Sequence, residues 1–318
     1  MEYRRLGRSG LRVSEISLGS WLTFGSAVDD AAVRAIVHRA FDLGINLFDT
    51  ADVYARGAAE ESLGRAIRDL PRHHLVLATK CFFPMSEDPN DRGLSRKHLR
   101  ESVEGSLRRL GTDYLDLHQC HRPDPATPLE ETVDTYRDLV RQGKVLYWGV
   151  SLFEPHRIVA ACRLAEARGG VRPVSNQPPY SILRRSIEAE VLPVCSEEGL
   201  SQIAFSPLAQ GVLTGKYRGG RRPPGTRAAD PVAGRFLEAY LEPGVLERVE
   251  QLLPLAAELG LTPAQLALSW CLRHPGVATA LVGATRPEQV EENARASGVQ
   301  LPEEALARID ALFPPPGA

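Results

Sequence analysis

Lysine is scarce in this chain. Of its 38 basic residues only Lys80, Lys97, Lys144 and Lys216 are lysines, and arginine supplies the rest. The chain also lacks a GxGxxG fingerprint, which excludes a Rossmann dinucleotide module. No apolar run approaches the roughly 20 residues needed to span a bilayer, so direct membrane insertion is not expected. The first ten residues, MEYRRLGRSG, lack the apolar stretch of a signal peptide, and a cytoplasmic location is expected. The five cysteines (Cys81, Cys120, Cys162, Cys195, Cys271) are widely spaced without a CxxC, which suits a reducing compartment better than a disulfide framework. A formal net charge of -2 offers no field that would draw nucleic acid. No metal is expected. His118 and His121 stand three apart on a strand and so face opposite ways, and His73 and His74 are adjacent at a turn without further ligands.

What is present is an alternation of strand and helix patterns, with 43% hydrophobic and 25% charged residues as in ordinary globular chains. Strands are expected at 16–21, 45–50, 75–80, 114–121, 145–151, 173–177, 201–206 and 279–284. Between them, Val33, Ile36, Val37, Ala40 and Phe41 mark one apolar helix face ended by Gly44. Leu99, Val103, Leu107 and Leu110 mark another ended by Gly111. Thr127-Pro128-Leu129-Glu130 and Thr262-Pro263-Ala264-Gln265 both read as capping boxes with proline at the first helical position. Eight such units predict an α/β fold, a closed (β/α)8 TIM barrel formed by residues 1–318 as one domain, with extra helices toward the C-terminus. A hairpin turning at Ser9-Gly10 precedes it, placed to plug the barrel floor. The loops at 81–93 and 207–236 are long and leave C-terminal strand ends, where barrel active sites are built.

Four residues of different chemistry fall at those ends. Asp49 is in phase with Ile45 and Leu47, Lys80 with Val76 and Ala78, and His121 with Leu117 and Gln119, so all three point along one side of their strands. Tyr54 follows in a loop. Each alone has an ordinary explanation: a cap or loop carboxylate, a packed ring, a snorkelling lysine, a structural histidine. Together they suit carbonyl reduction. The alkoxide left by hydride attack needs a proton, and a phenol with a reference pKa of about 10 becomes a better donor when a cation stands within about 4–6 Å. Lys80, paired with Asp49, is placed to do this for Tyr54, while neutral His121 orients the carbonyl oxygen. A Schiff-base aldolase using Lys80 is an alternative of another class. Borohydride trapping of substrate on Lys80 would support it, and NADPH consumption would exclude it. The run Gly211 to Tyr217 resembles a Walker loop but is one residue short and has no Ser/Thr after Lys216. Thr285-Arg286-Pro287-Glu288 reads as a helix start directly after the last strand, and a helix start there can hold phosphate. Thr285, Gln289, Glu292 and Asn293 share one face of that helix, and Arg286 is placed to pair with a 2′-phosphate, favouring NADP over NAD.

With YRRLGRSGLRVS, GINLFDTADVYARGAAEESLG, RGLSRKHL, HRPDPATPLEETV, QGKVLYWGVS, FSPLAQGVLTGKY, LALSWCLRHPGV and VGATRPEQVEEN, the chain resembles the aldo-keto reductase superfamily over nearly its whole length. Within it, the resemblance is to the branch similar to voltage-gated potassium channel β subunits. The resemblance implies an NADPH-binding barrel with a catalytic tetrad of Asp49, Tyr54, Lys80 and His121. It implies nicotinamide contacts from Ser151 and Gln177 with the ring stacked on Phe205, and Ser20 and Trp21 bordering cofactor and substrate. A pyrophosphate belt of Ser206, Leu208, Gly211 and Lys216 with Arg227, and an adenosine end at Thr285, Gln289, Glu292 and Asn293, follow from it as well. The substrate pocket is expected at Trp21, Tyr54, Phe82 and His121, with Phe83 adding to an aromatic wall. Three departures stand out. Leu152 replaces the usual Asn after the serine, Phe205 replaces Trp or Tyr, and His121 stands where animal channel β subunits carry Asn. The leading expectation is an NADPH-dependent reductase of small carbonyl compounds, with homotetramers possible from the branch. The alternative is an NADP(H)-binding redox sensor or channel accessory with slow chemistry.

Overall fold

The computed structural model describes residues 1–231 and 233–317. Its barrel strands are β3 (Ile16–Gly19), β4 (Leu47–Asp49), β5 (Val76–Cys81), β6 (Leu115–Cys120), β7 (Val145–Ser151), β8 (Ser175–Gln177), β9 (Ser201–Phe205) and β10 (Val277–Val282). They pair in parallel in chain order, and β10 closes on β3, giving a closed eight-stranded barrel. All eight expected strands are present; five are shorter than the apolar patterns suggested and three keep the expected length, those at 76–81 and 277–282 shifted by one or two residues. Around them lie α1 (Asp30–Asp42), α2 (Ala58–Ile67), α3 (Arg96–Leu110), α4 (Leu129–Arg141), α5 (Pro155–Ala167), α6 (Val191–Glu198), α7 (Pro243–Glu258), α8 (Pro263–Leu272), α9 (Pro287–Ala294) and α10 (Glu303–Leu312). Among the described residues, no single helix is long and apolar enough to cross a membrane.

Strand alternation divides the barrel into two cores. Outward residues such as Phe48, Leu77, Cys120, Trp148 and Ala204 pack with the helices. Inside, Leu47, Val76, Ala78, Leu117, Val174, Ile203 and Ala278 form an apolar layer toward the N-terminal end. The hairpin β1 (Tyr3–Arg5) and β2 (Arg12–Ser14) completes that layer with Leu6 and Val13, both fully buried. Its turn is pinned to the floor: Gly7 N–H donates to Ser201 Oγ at 2.8 Å and Arg8 N–H to the Gly199 carbonyl at 2.9 Å. Gly7 has φ +59°, and a Cβ there would sit 2.5 Å from two carbonyl oxygens, so the plug needs glycine at this point. With the floor filled by hydrocarbon, only the opposite mouth is open to chemistry.

The helix caps follow the sequence in part. Ser95 caps α3, Gly111 ends it in the left-handed conformation, and Thr262 with Gln265 forms a complete capping box on α8. The box expected at Thr127 does not form. The Thr127 hydroxyl instead donates to Asp124 Oδ2 at 2.8 Å, and α4 begins after Pro128 with no side-chain cap. Asp124 already accepts the Leu94 and Ala126 N–H groups, so it offers a charged acceptor that outcompetes the helix end.

Candidate active site

Above the apolar layer the inward positions become polar. Strand register places Asp49 opposite Gly19 and Ala78, Lys80 opposite Gln119, Gln119 opposite Gly149, and Ser151 opposite Gln177. Lys80 is fully buried and Asp49 nearly so. The Lys80 ammonium donates to Asp49 Oδ1 at 2.5 Å and to the Thr50 carbonyl at 2.7 Å, and it lies 3.4 Å from the Tyr54 hydroxyl. Asp49 Oδ2 accepts from Gln177 Nε2 at 2.9 Å, with Gln119 Nε2 at 3.5 Å, and Ser151 Oγ donates to the Gln177 carbonyl at 2.8 Å. The buried ion pair is thus fully hydrogen-bonded, as a desolvated charge requires. Tyr54 stands edge-on to His121, ring centroids 5.6 Å apart.

Directly after Tyr54 the chain turns into α2 through Ala55, Arg56 and Gly57, all at positive φ, so strained backbone adjoins the phenol. Gly57 is closed from outside, since a Cβ there would meet Arg109 Cδ at 2.8 Å.

Burial raises the Tyr54 phenol above its ordinary value, with the Lys80 charge the largest influence against it. This corrects the simple expectation that Lys80 leaves a lowered phenol: the ammonium offsets only part of the cost of removing the ring from water. For Lys80, burial pushes down, but Asp49 and Tyr54 outweigh it and the ammonium stays charged. Burial first, then Lys80 and Arg122, hold the His121 imidazole well below 6.5. The ring is therefore neutral, and its buried Nδ1 has no hydrogen-bond partner.

A second polar region adjoins this one. Ser206, Ala209, Gln210 and Gly211, just past β9, all have positive φ. Gln210 Nε2 donates to Ser206 Oγ at 2.6 Å, and Arg227 Nη1 donates to Gln210 Oε1. The Arg227 guanidinium also faces the Trp21 ring at 5.9 Å and lies close to Gly283. A Cβ on Gly211 would be 2.8 Å from Lys216 Nζ. Lys216 is exposed in area yet crowded by neighbouring atoms; that crowding, then Arg227 and Arg286, push its ammonium down. Three cations thus gather here, and no ion pair to Lys216 or Arg227 is found among the described residues. The buried Tyr217 hydroxyl beside them is also unpartnered. Unpaired cations, an orphaned hydroxyl and a glycine-lined turn fit a polyanion such as a dinucleotide pyrophosphate. Just beyond β10, Gln289 Oε1 accepts from the Thr285 N–H at 2.8 Å. The α9 start is therefore held by Gln289 and not by a Thr285–Glu288 box, while Arg286 lies 3.7 Å from Glu288.

Asp49, Tyr54, Lys80 and His121 come together, with Gln177 and Ser151 beside them. Ser20 Oγ bonds Thr50 Oγ1 at 2.9 Å, Phe205 ends β9, and Leu208 precedes the strained turn. Asn293 is buried, and the Glu292 carbonyl accepts from Gln265. Phe82 packs partly into the outer core, whereas Phe83 meets His121 edge-on at 5.0 Å. Gln119 and Gln210 join the site without being among the expected residues. Gln119 carries a signal in its inward parity; Gln210 sits in a loop whose course no periodicity reports. Elsewhere, behind β5, the buried Asp52, Cys81 and His98 offer ligand-type atoms within 4.8 Å of one another, a grouping that no spacing in the chain suggested.

A model of the aldo/keto reductase family matches residues 15–313. The chain belongs to the aldo/keto reductase family. Membership supports an oxidoreductase activity for this barrel. Similar chains include a probable voltage-gated potassium channel subunit beta of Oryza sativa subsp. japonica, 43% identical over 98% of this chain and 96% of the relative. One of the same description from Arabidopsis thaliana is 43% identical over 94% and 92%. A putative one from Schizosaccharomyces pombe is 40% identical over 98% and 93%.

Proposed function

We propose that this aldo/keto reductase converts aldehydes or ketones to alcohols with NADPH, Tyr54 donating the proton. The observation that carries the reading is the Asp49–Lys80–Tyr54 chain of contacts closed by a neutral His121. When bound, NADPH supplies the hydride. Ser20, Trp21, Asp49, Ser151, Gln177 and Phe205 would border its nicotinamide. Ser206, Leu208, Gly211, Lys216 and Arg227 would hold the pyrophosphate, and Thr285, Arg286, Gln289, Glu292 and Asn293 the adenosine end. A raised phenol stays protonated at neutral pH and so stands ready as an acid. Lys80 then favours the phenolate left after transfer, because an adjacent cation stabilises the developing anion. His121, neutral and with an unpartnered nitrogen, orients the carbonyl oxygen. Asp49 holds the ammonium in place. We assign this chemistry to one barrel domain acting in the cytoplasm.

Tyr54→Phe tests the assignment. NADPH-dependent turnover of a simple aldehyde is expected to fall by at least about 100-fold, the lower end for loss of a general acid. NADPH binding, read by fluorescence, is expected to persist. Unchanged turnover would defeat the role given to Tyr54. The relatives' names, potassium channel subunits beta, support a second reading, a slow NADP(H)-bound subunit of a channel assembly. A single burst of NADPH oxidation followed by very slow cycling would favour it, and steady turnover on an aldehyde would sink it.

A further inference from the structure

One cation at the barrel mouth belongs to neither the tetrad nor the phosphate region, and it acts on His121 only as the lesser of two charges that keep the imidazole neutral. Arg122 immediately follows His121. Its guanidinium lies 5.5 Å from the Phe83 ring centroid, and Phe83 packs against His121 at 5.0 Å. Arg122 Nη1 donates to the His121 carbonyl at 3.1 Å, which ties down one corner of the fork. The Nε and Nη2 edge has no acceptor, and Arg122 forms no ion pair among the described residues, although the side chain is half-buried. Most half-buried arginines in this molecule are paired: Arg72 with Asp116, Arg109 with Glu60, Arg137 with Asp134 and Asp138, Arg273 with Glu188. A second cation, Arg184, comes from the turn after β8, where it is exposed; its charge, after burial, helps lower Arg122. Asp124, the acid nearest in sequence, is committed to the Leu94 and Ala126 N–H groups and the Thr127 hydroxyl.

The geometry points to Arg122 as a specificity-determining residue that receives a carboxylate carried by the carbonyl substrate, with Arg184 adding a long-range attraction. This rests on the reductase reading and narrows its substrate class to aldehyde or keto acids. The reason is the shape of the free edge. Two parallel N–H donors match a carboxylate bidentately, and a guanidinium already anchored and stacked loses little freedom in binding one. Phe83 and His121 form the wall between that edge and the reacting oxygen, so a short apolar spacer between carboxylate and carbonyl is expected.

The test compares 4-carboxybenzaldehyde, 4-nitrobenzaldehyde and a phosphate monoester of a hydroxybenzaldehyde, with the full-length protein and NADPH. The wild type is expected to favour the carboxylated aldehyde in kcat/KM. Arg122→Ala is expected to lose about 100-fold on that substrate through KM, the usual scale for truncating one partner of a bidentate charge pair, with less than about threefold loss on the nitro compound. Arg122→Lys should recover only part of the loss, since an ammonium lacks the fork. Equal losses on acid and neutral substrates would mean that Arg122 merely supports His121 and would overturn the proposal. So would a wild type that does not prefer the acid, or one that prefers the phosphate. If none of the aldehydes turns over, the reductase reading fails separately. Competition by unreactive benzoate for NADP+-loaded protein then decides: binding weakened by Arg122→Ala supports the anion site, and no effect refutes it.

Discussion

Asp52 is fully buried two residues before Tyr54, and replacing it by Asn yields the most quantitative prediction this structure allows. Its Oδ1 accepts the Val53 N–H at 2.6 Å, its Oδ2 accepts the Ser102 hydroxyl at 2.8 Å, and its own N–H donates to the Lys80 carbonyl at 3.1 Å. Burial, opposed by the Ser102 bond and reinforced by Glu60, moves the carboxyl from 3.8 to about 7. Between those values the folded protein holds a proton that the unfolded chain has released. Stability therefore falls as pH rises from about 4 to about 7 and then levels off. At about 1.4 kcal/mol per pH unit, the ionised carboxylate costs on the order of 4 kcal/mol above that window. Asn is nearly isosteric and can keep both hydrogen bonds, because the Ser102 hydroxyl can turn to accept. The variant should match wild type near pH 3.5, below the window, and be more stable at pH 8.5. For 318 residues, an unfolding entropy of about 2.1 cal/mol/K per residue converts the difference to about 6 °C in Tm. Calorimetric scans of both proteins at the two pH values measure it. A Tm gap that is the same at both, or that favours wild type at pH 8.5, would show that Asp52 is ionised and adequately paired in the fold.

Two further outcomes follow from individual residues. Leu152 holds φ +57° directly after β7, a conformation Asn tolerates far better than Leu, so Leu152→Asn should raise Tm by about 1–2 °C through roughly 1 kcal/mol of relieved strain; an unchanged or lower Tm would mean that Leu152 packing outweighs the strain. Arg286, exposed and only loosely near Glu288, should weaken NADPH binding more than NADH binding when changed to Ala; an unaltered cofactor ratio would remove it from the 2′-phosphate.

The barrel was legible because its strands are short apolar runs separated by amphipathic helices, and because parity alone put Asp49, Lys80 and Gln119 on the inner side. The hairpin was legible from Ser9-Gly10. Other features depend on three-dimensional competition that periodicity cannot report. Thr127 has the pattern of a cap but lies within reach of a better acceptor. Gln210 bridges Ser206 and Arg227 only because four residues of a loop adopt positive φ. The direction of the Tyr54 shift turns on how completely the ring is buried, a quantity set by the whole mouth of the barrel and by no single neighbour. Arg122 is silent in the sequence for a related reason: its lack of a partner is visible only once every nearby carboxylate has a place.

Strain and chemistry also coincide in this barrel. The described non-glycine residues at positive φ are Leu22, Ala55, Arg56, Leu152, Ser206, Ala209 and Gln210, and each follows the C-terminal end of β3, β4, β7 or β9. None lies on the floor, where the positive-φ positions are glycines such as Gly7, Gly44, Gly111, Gly143 and Gly199. At roughly 1–2 kcal/mol for each such residue, the mouth carries a cost that a relaxed set of loops would avoid. The dry lower layer and the tightly paired strands can sustain it, because loops at one end of a closed barrel can be strained without disturbing the other. Strained backbone here adjoins Tyr54 beside Lys80 and runs where Ser206 meets Gln210. Substitutions that relax Ala55, Arg56 or Gln210 should therefore differ from Leu152→Asn in one respect: any gain in stability should come with a loss of turnover, since the backbone being relaxed is the backbone that adjoins the site.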